Sequence, residues 1–492
     1  MASPRLAIHI PVILAFAVLG IAVRNHDANV RGLEYDERTT IQFAEDCSPE
    51  VFGEYLLLRN VREPGHVPMT AISLQDYRSF PAWLLCARAL QTPNDHPANI
   101  SRLRWLSVLL AGLAVPSAYI LGLRFGPIAA VLTAMMALLH PTCQFHGYNI
   151  RFYALLIFVS TAGLAWYVWV MPAIPKWFAA KRRGRAALAI LASAACVGAM
   201  FTVHLGVIFP LAVMLVIAWH HLRFSRAFAM LLVATLAISA IPLFNIGNFF
   251  YVRTFADASI EEIVNSTGPL PGLAAVAFNM GLGYCALAGV WLLNSRSGDQ
   301  WPIRWGLAIA FFGIALAFAM KASLLRADYT LGLLPAILLA AALQIQTMTK
   351  ASGQPWRTGA IVFGFALLLV LPSFWSTAVI DGDRVDYAAA IRFLREDAPG
   401  EKILVITHSP RSMDYLDAEP GVKPVYIAEV DLPEQNLAEY SRVYWIVREG
   451  KGFQTVRRPS FDHVEGKLVR TLGKDRLDLR SCRLYVFRSV KP

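Results

Sequence analysis

Long apolar runs alternate with short polar connectors along most of this chain. The runs cover approximately residues 6–23, 103–123, 127–145, 152–171, 186–203, 205–222, 227–246, 273–293, 305–320, 328–346 and 358–379. Runs of roughly 20 apolar residues match a hydrocarbon core about 30 Å thick, where a helix satisfies its own backbone. The pattern therefore predicts a polytopic α-helical membrane protein with about eleven spans. The first run is flanked by Arg5 and Arg24 and shows no clear small-residue cleavage site, so it reads as a retained span and not a signal peptide. Phe80–Leu90 (FPAWLLCARAL) is apolar but has about half the length needed to cross, and it contains Arg88. Such a segment is interfacial or re-entrant.

That reading sets the topology. With Phe80–Leu90 lying flat and the N-terminus cytoplasmic, one side receives Arg124, the connector with Lys176, Lys181, Arg182, Arg183 and Arg185, then Arg223 with Arg226, Arg296 with Arg304, and Lys350 with Arg357. Short loops rich in Lys and Arg mark the cytoplasmic side. A crossing Phe80–Leu90 would move all of them outside. The preferred topology leaves a long polar loop, Arg24–Arg102, on the outer face and puts residues 381–492 there too.

Beyond Ile380 the pattern changes. Asp381, Asp383, Arg384 and Asp386 open a soluble region in which Tyr387, Ile391 and Leu394 recur at helical spacing. Ile403–Ile406, Pro424–Ile427, Val443–Val447 and Leu484–Phe487 then read as strands bounded by Gly, Pro and charges. The expectation is a membrane domain over 1–380 and an extracytoplasmic α/β domain over 381–492, the latter without a phosphate-binding glycine loop.

Composition agrees with a membrane chain. Of 492 residues, 56% are hydrophobic and 16% charged, against about 25% charged in soluble domains. The net charge of +11 falls largely in the basic connectors, so it marks topology and does not call for nucleic acid. The six cysteines form no CxxC, and Cys47 and Cys482 could pair outside the membrane.

The polar residues that could do chemistry gather on the outer side: Asp36 and Glu37, Asp76 and Arg78, His146, Asn149 and Arg151, His204, and Lys321, Arg326, Asp328 and Tyr329. Ionisable groups at a membrane boundary are costly unless solvated, paired or functional. Asp36 or Glu37 could take a proton from an attacking hydroxyl or amine; a solvated acidic pair is the plainer reading. Arg78, Arg151 and Arg326 could each hold a phosphate through the guanidinium fork, or simply meet lipid headgroups. His204 has no HxxxH or HExxH companion, so a divalent metal is open but not called for. The sequons at Asn99 and Asn265 carry little weight.

In order and spacing these residues resemble the GT-C class of membrane glycosyltransferases, in particular the branch of protein O-mannosyltransferases and the lipid A aminoarabinose transferase (glycosyltransferase family 39-like). The resemblance rests on the first span with its long loop, the Asp36-Glu37 pair, and Phe80–Leu90 as a juxtamembrane helix. It extends to Arg102-Leu-Arg-Trp-Leu-Ser, to His140-Pro-Thr-Cys-Gln-Phe-His-Gly-Tyr-Asn-Ile-Arg-Phe-Tyr153, to Thr202-Val-His204 and to Leu325-Arg-Ala-Asp-Tyr-Thr-Leu-Gly-Leu-Leu-Pro335. The chain departs from the branch at Asp76-Tyr-Arg-Ser-Phe-Pro81, which lacks a double proline, and at Asp328, where an Arg is usual.

The resemblance implies an inverting transfer from a polyprenyl-phosphate sugar to a glycolipid, polysaccharide or protein acceptor at the outer face of a bacterial inner membrane. It implies Asp36, or Glu37, as base. Arg78, Arg151 and Arg326 would hold the donor phosphate, and Asp76, His146, Asn149, Tyr153, His204, Asp328 and Tyr329 would contact substrate. No cofactor is obligatory in this scheme. A multi-span transporter or lipid flippase is the alternative, although no repeat symmetry between halves is visible.

Overall fold

The structure is a computed structural model that describes residues 4–28, 37, 40, 41, 44, 80–92, 96–147, 149–254, 276–277, 280–294, 300–319, 327–352, 387–407, 424–427, 439–448, 460–461, 464–472 and 484–489. Asp36, Asp76, Arg78, Lys321, Arg326, Cys47, Cys482 and the apolar run 358–379 lie outside these residues.

Among the described residues seven helices are long and apolar enough to cross a membrane, and three shorter apolar helices, Pro127–Leu139, Leu282–Leu293 and Trp301–Leu316, accompany them. In chain order the helices are α1 (Pro4–Ala28), α2 (Ala82–Leu90), α3 (His96–Leu123), α4 (Pro127–Leu139), α5 (Pro141–His146), α6 (Tyr153–Val170), α7 (Ala173–Ala179), α8 (Arg183–Phe201), α9 (Ile208–Leu222), α10 (Arg226–Thr254), α11 (Leu282–Asn294), α12 (Trp301–Ala319) and α13 (Leu334–Ser352). Short 3-10 turns occupy Leu205–Val207 and Ala327–Leu333.

Helix α13 is the axis of the bundle, since 89% of Thr330–Lys350 is buried. Its alanines Ala336, Ala340, Ala341 and Ala342 let neighbours pack closely. Helix α1 is peripheral, with Ile8, Leu14, Val18 and Leu19 exposed where lipid would cover them. It seats on α3 through Gly20, where a Cβ would lie 2.7 Å from the carbonyl oxygen of Gly112.

Two runs read as continuous from apolarity are shorter as helices. The run 127–145 breaks after Leu139: Pro141 has no N–H to give back to Ala137, and His140 takes an extended backbone (φ −62°, ψ 124°). Within 273–293, Val276 and Ala277 are helical and a separate helix opens at Leu282, after Gly281 at φ +79°. A side chain there would meet Tyr284 at 2.6 Å.

The tail contributes α14 (Tyr387–Asp397) and strands β1 (Ile403–Thr407), β2 (Val425–Ile427), β3 (Arg442–Arg448), β4 (Ser460–Phe461), β5 (Val464–Leu472) and β6 (Leu484–Ser489). The sheet order is β2-β1-β3-β6-β5-β4, with β1 parallel to both β2 and β3, and β6 antiparallel to its neighbours. Alternation along β1 and β3 divides the core. Ile403, Val405, Tyr444 and Ile446 meet Ala390, Ile391 and Leu394 of α14, while Leu404, Ile406, Val443 and Trp445 face the other way. Asp397 closes the end of α14: its carboxylate accepts from Tyr444 Oη (2.5 Å), Arg442 (3.3 Å) and Arg488 (3.2 Å). Burial, then the bond to Asp397, push the Tyr444 phenol up to about 12.

Candidate functional site

Several breaks in the helical pattern meet at one end of the bundle, and they are what brings polar side chains together. The α4–α5 break exposes carbonyls that the helix no longer serves. Arg24 Nη2 donates to Ala137 O (3.0 Å), the carbonyl whose helical partner would be Pro141. Gln144 Nε2 donates to Leu138 O (3.3 Å), and His140 Nδ1 accepts from Thr142 N (3.2 Å) to start α5. His140 Nε2 meets Met280 O at 3.0 Å and its ring packs on Tyr284, so this break is joined to the one before α11.

The stretch from Gly147 to Tyr153 runs against Arg24 of α1 and Ser107 of α3. Gly147 has no room for a side chain: a Cβ would lie 2.7 Å from Arg24 Cδ and 2.8 Å from Cys143 O. Farther along, Ser107 Oγ of α3 donates to Asn149 O (2.7 Å), and Ile150 N donates to Glu37 Oε1 (2.9 Å). Glu37 is fully buried and its other oxygen faces Arg104 Nη2 at 3.8 Å. Arg104 and Ser107 lie one turn apart on α3, on one helix face. They hold both the segment containing Glu37 and the turn containing Asn149 and Ile150.

Beside this turn runs a row of rings. His146 packs on Tyr153 (4.3 Å between centroids), Tyr153 on Phe152 (4.4 Å), Phe152 stacks on His204 (4.1 Å, 11°), and His204 meets Phe80 (5.3 Å). His204 is fixed by accepting from Gly206 N (3.0 Å) through Nδ1, which starts the 3-10 turn that follows. Phe80 is brought over it because Ala82 N, opening α2, donates to Thr202 O (3.1 Å). The Arg151 guanidinium lies over Phe152 and Tyr153, 5.6 and 5.3 Å from their centroids. Gly206 approaches Gly332 so closely that a Cβ on Gly332 would meet Gly206 O at 2.5 Å, which brings the 3-10 turn Ala327–Leu333 to the same end.

The structure thus assembles Glu37, His146, Asn149, Arg151, Tyr153 and His204. Asp328 and Tyr329 share the turn against Gly206, and their side chains lie outside the described residues, as do Asp36, Asp76, Arg78 and Arg326 altogether. Arg24, Arg104, Ser107 and His140 belong to the assembly although none was among the site residues expected from sequence; Arg104, Ser107 and His140 lie within motifs that carry the resemblance. Their signals were present: an Arg near the end of an apolar run, an Arg one turn before a Ser on a span, and a His followed by Pro.

No family model matches the sequence, and none of the curated proteins compared with it matches. Among solved structures the chain is similar to the apo form of the Archaeoglobus fulgidus oligosaccharyltransferase, with a TM-score of 0.50 and 13% identity over 85% of this chain and 64% of that one. Two further structures of that protein, with Zn and sulfate and tethered to an acceptor peptide containing the NVT sequon, give TM-scores of 0.39 and 0.42 at 12% identity, covering 70% and 85% of this chain and 53% and 64% of theirs. The chain spans 64% of the length of the oligosaccharyltransferase with which it aligns best of these three. At this identity the likeness is one of fold: the chain is a mostly helical membrane protein with the GT-C fold of that glycosyltransferase.

Proposed function

We propose that this chain transfers a sugar from a polyprenyl-phosphate donor to an acceptor at the outer face of the membrane, with inversion at the anomeric carbon. Asp36 takes the proton of the acceptor hydroxyl or amine. The acceptor atom bonds to the anomeric carbon as the bond from that carbon to the phosphate oxygen breaks. The lipid phosphate leaves with the electron pair, and Arg78, Arg151 and Arg326 offset its charge. Asp76, His146, Asn149, Tyr153, His204, Asp328 and Tyr329 line the path of sugar and acceptor.

One observation carries this reading: Glu37 is clasped between Arg104 and the Ile150 N–H at the turn that presents Arg151. A carboxylate so engaged is poorly placed to take a proton, so the base falls to its neighbour Asp36, one peptide bond away. The GT-C fold supports the same reading.

The test uses the full chain in lipid nanodiscs with a panel of radiolabelled polyprenyl-phosphate hexoses and pentoses and a membrane extract as acceptor. Release of lipid phosphate with transfer of label is expected for one donor, and Asp36→Asn should abolish it while leaving insertion unchanged. Near-normal transfer by Asp36→Asn would remove Asp36 as base. In proteoliposomes, lipid translocation without release would overturn the enzyme reading in favour of a flippase.

A further inference from the structure

Arg24 is 2% exposed inside the membrane domain, and no carboxylate among the described residues neutralises it. Burying a guanidinium in such a place is costly, so its contacts should reveal its task. Nη1 donates to Gly20 O (2.9 Å) on its own helix, and Nη2 donates to Ala137 O (3.0 Å) on α4. Ala137 O is an orphan for a local reason: residue 141, which would return a helical N–H to it, is proline. The cation also sits at the C-terminal end of α4, where the helix dipole favours positive charge.

We infer that Arg24 is a positioning residue: it caps α4 in trans where Pro141 cannot, and so sets the path of the turn 140–151. The inference rests on the function proposed above only in what that turn is for. Gly147 lies on the Arg24 stem, and the chain then reaches Asn149, Ile150 and Arg151. Arg24 and Glu37 also flank the segment that carries Asp36, and both hold the same turn, one at Ala137 and Gly147, the other at Ile150. A direct role for Arg24 in binding the donor phosphate fits poorly. The cavity it lines with Thr133, Cys143 and Thr161 has a volume of about 10 Å³, room for one water and no phosphate.

The experiment compares Arg24→Met, Pro141→Ala and the double variant in the full chain in nanodiscs. Amide hydrogen exchange over 137–152 and the kinetics of lipid phosphate release are both read. Arg24→Met should speed exchange there about tenfold. It should lower kcat by roughly 10- to 100-fold, the cost of a misplaced group, with the donor KM within about twofold. Pro141→Ala supplies Ala137 with an N–H of its own, so the double variant should regain slow exchange and most of kcat. Unchanged exchange in Arg24→Met overturns the inference, and so does a double variant that behaves like Arg24→Met. Should Arg24→Met fail to insert, recovery of folded protein on adding Pro141→Ala supports capping, and no recovery overturns it. If the unaltered chain releases no lipid phosphate, the functional reading fails while exchange still decides this one.

Discussion

The Glu37–Arg104 pair lends itself to a quantitative test, because both partners are buried and the geometry is simple. The side chains are 0% and 7% exposed and their nearest atoms are 3.8 Å apart. At an effective dielectric constant of about 20 the attraction is about 4 kcal/mol, before the cost of desolvating both ions. Arg104→Met is close in volume but removes the cation. It leaves a fully buried carboxylate without that cation, and should destabilise by about 3–5 kcal/mol. Glu37→Gln keeps an oxygen for the Ile150 N–H (2.9 Å) and loses only the charge, so it should cost less, about 1–3 kcal/mol. The double variant removes both charges and should cost less than the two together by roughly 1–3 kcal/mol.

Unfolding in mixed micelles, as a double-mutant cycle, measures this coupling. Transfer activity measured alongside should fall in both single variants, since each loosens the turn that holds Ile150. Additive losses, with coupling under about 0.5 kcal/mol, would refute the pair as a working contact. A single Arg104→Met variant as stable as the unaltered chain would refute the burial argument itself.

Gly281→Ala combines φ +79° with a 2.6 Å approach to Tyr284 and should cost at least about 1–2 kcal/mol; an unchanged unfolding midpoint would show that the joint with His140 yields freely. In the tail, the Tyr444 phenol titrates at about 12 instead of the ordinary 10. A raised acid binds more protons folded than unfolded, so its stabilisation is complete below pH 10 and is lost as pH rises towards 12. Pulse proteolysis of the intact chain over that range should show a steeper loss than in Tyr444→Phe, and equal slopes would acquit Tyr444. For orientation, Glu439→Cys should react with an impermeant maleimide on intact cells and Lys181→Cys only after permeabilisation; the reverse would invert the topology and move the proposed site to the cytoplasm.

Most of the membrane helices were legible because apolarity over a span-length run is enough to define a helix where no water is present. Helix α14 and strands β1, β2, β3 and β6 were legible from helical spacing and short apolar runs. Strand β5, Val-Glu-Gly-Lys-Leu-Val-Arg-Thr-Leu, escaped because its alternation is blurred by charge and both of its faces are largely exposed at Lys467, Leu468 and Arg470. The break within 127–145 escaped because hydropathy does not see a missing N–H, although Pro141 stood in the sequence. Of the site, His204, Arg151 and Tyr153 were visible as polar residues at the ends of spans. Arg24 and Arg104 were not, because their roles depend on groups brought together across the fold: Ala137 O lies 113 residues from Arg24, and Ile150 N lies 113 residues from Glu37.

Those two contacts change how the cations at this end should be weighed. A broken helix at membrane depth frees carbonyls that only a nearby donor can satisfy, and a long basic side chain is an effective one. Cations will therefore gather wherever such breaks gather, whether or not a phosphate ever visits. Arg24 donates to Ala137 and Gly20 through its two Nη atoms, and Arg104 faces Glu37, so protein groups account for part of each cation. Arg151, half-buried, lies over the faces of Phe152 and Tyr153. Stacking on a ring leaves the edge of a guanidinium able to donate to an oxygen pair. Arg151→Lys keeps the charge and loses the planar fork. If Arg151 binds donor phosphate, this variant should raise the donor KM or lower kcat by about tenfold at unchanged stability. If Arg151 serves packing alone, Arg151→Met should be tolerated and Arg151→Lys should gain nothing over it.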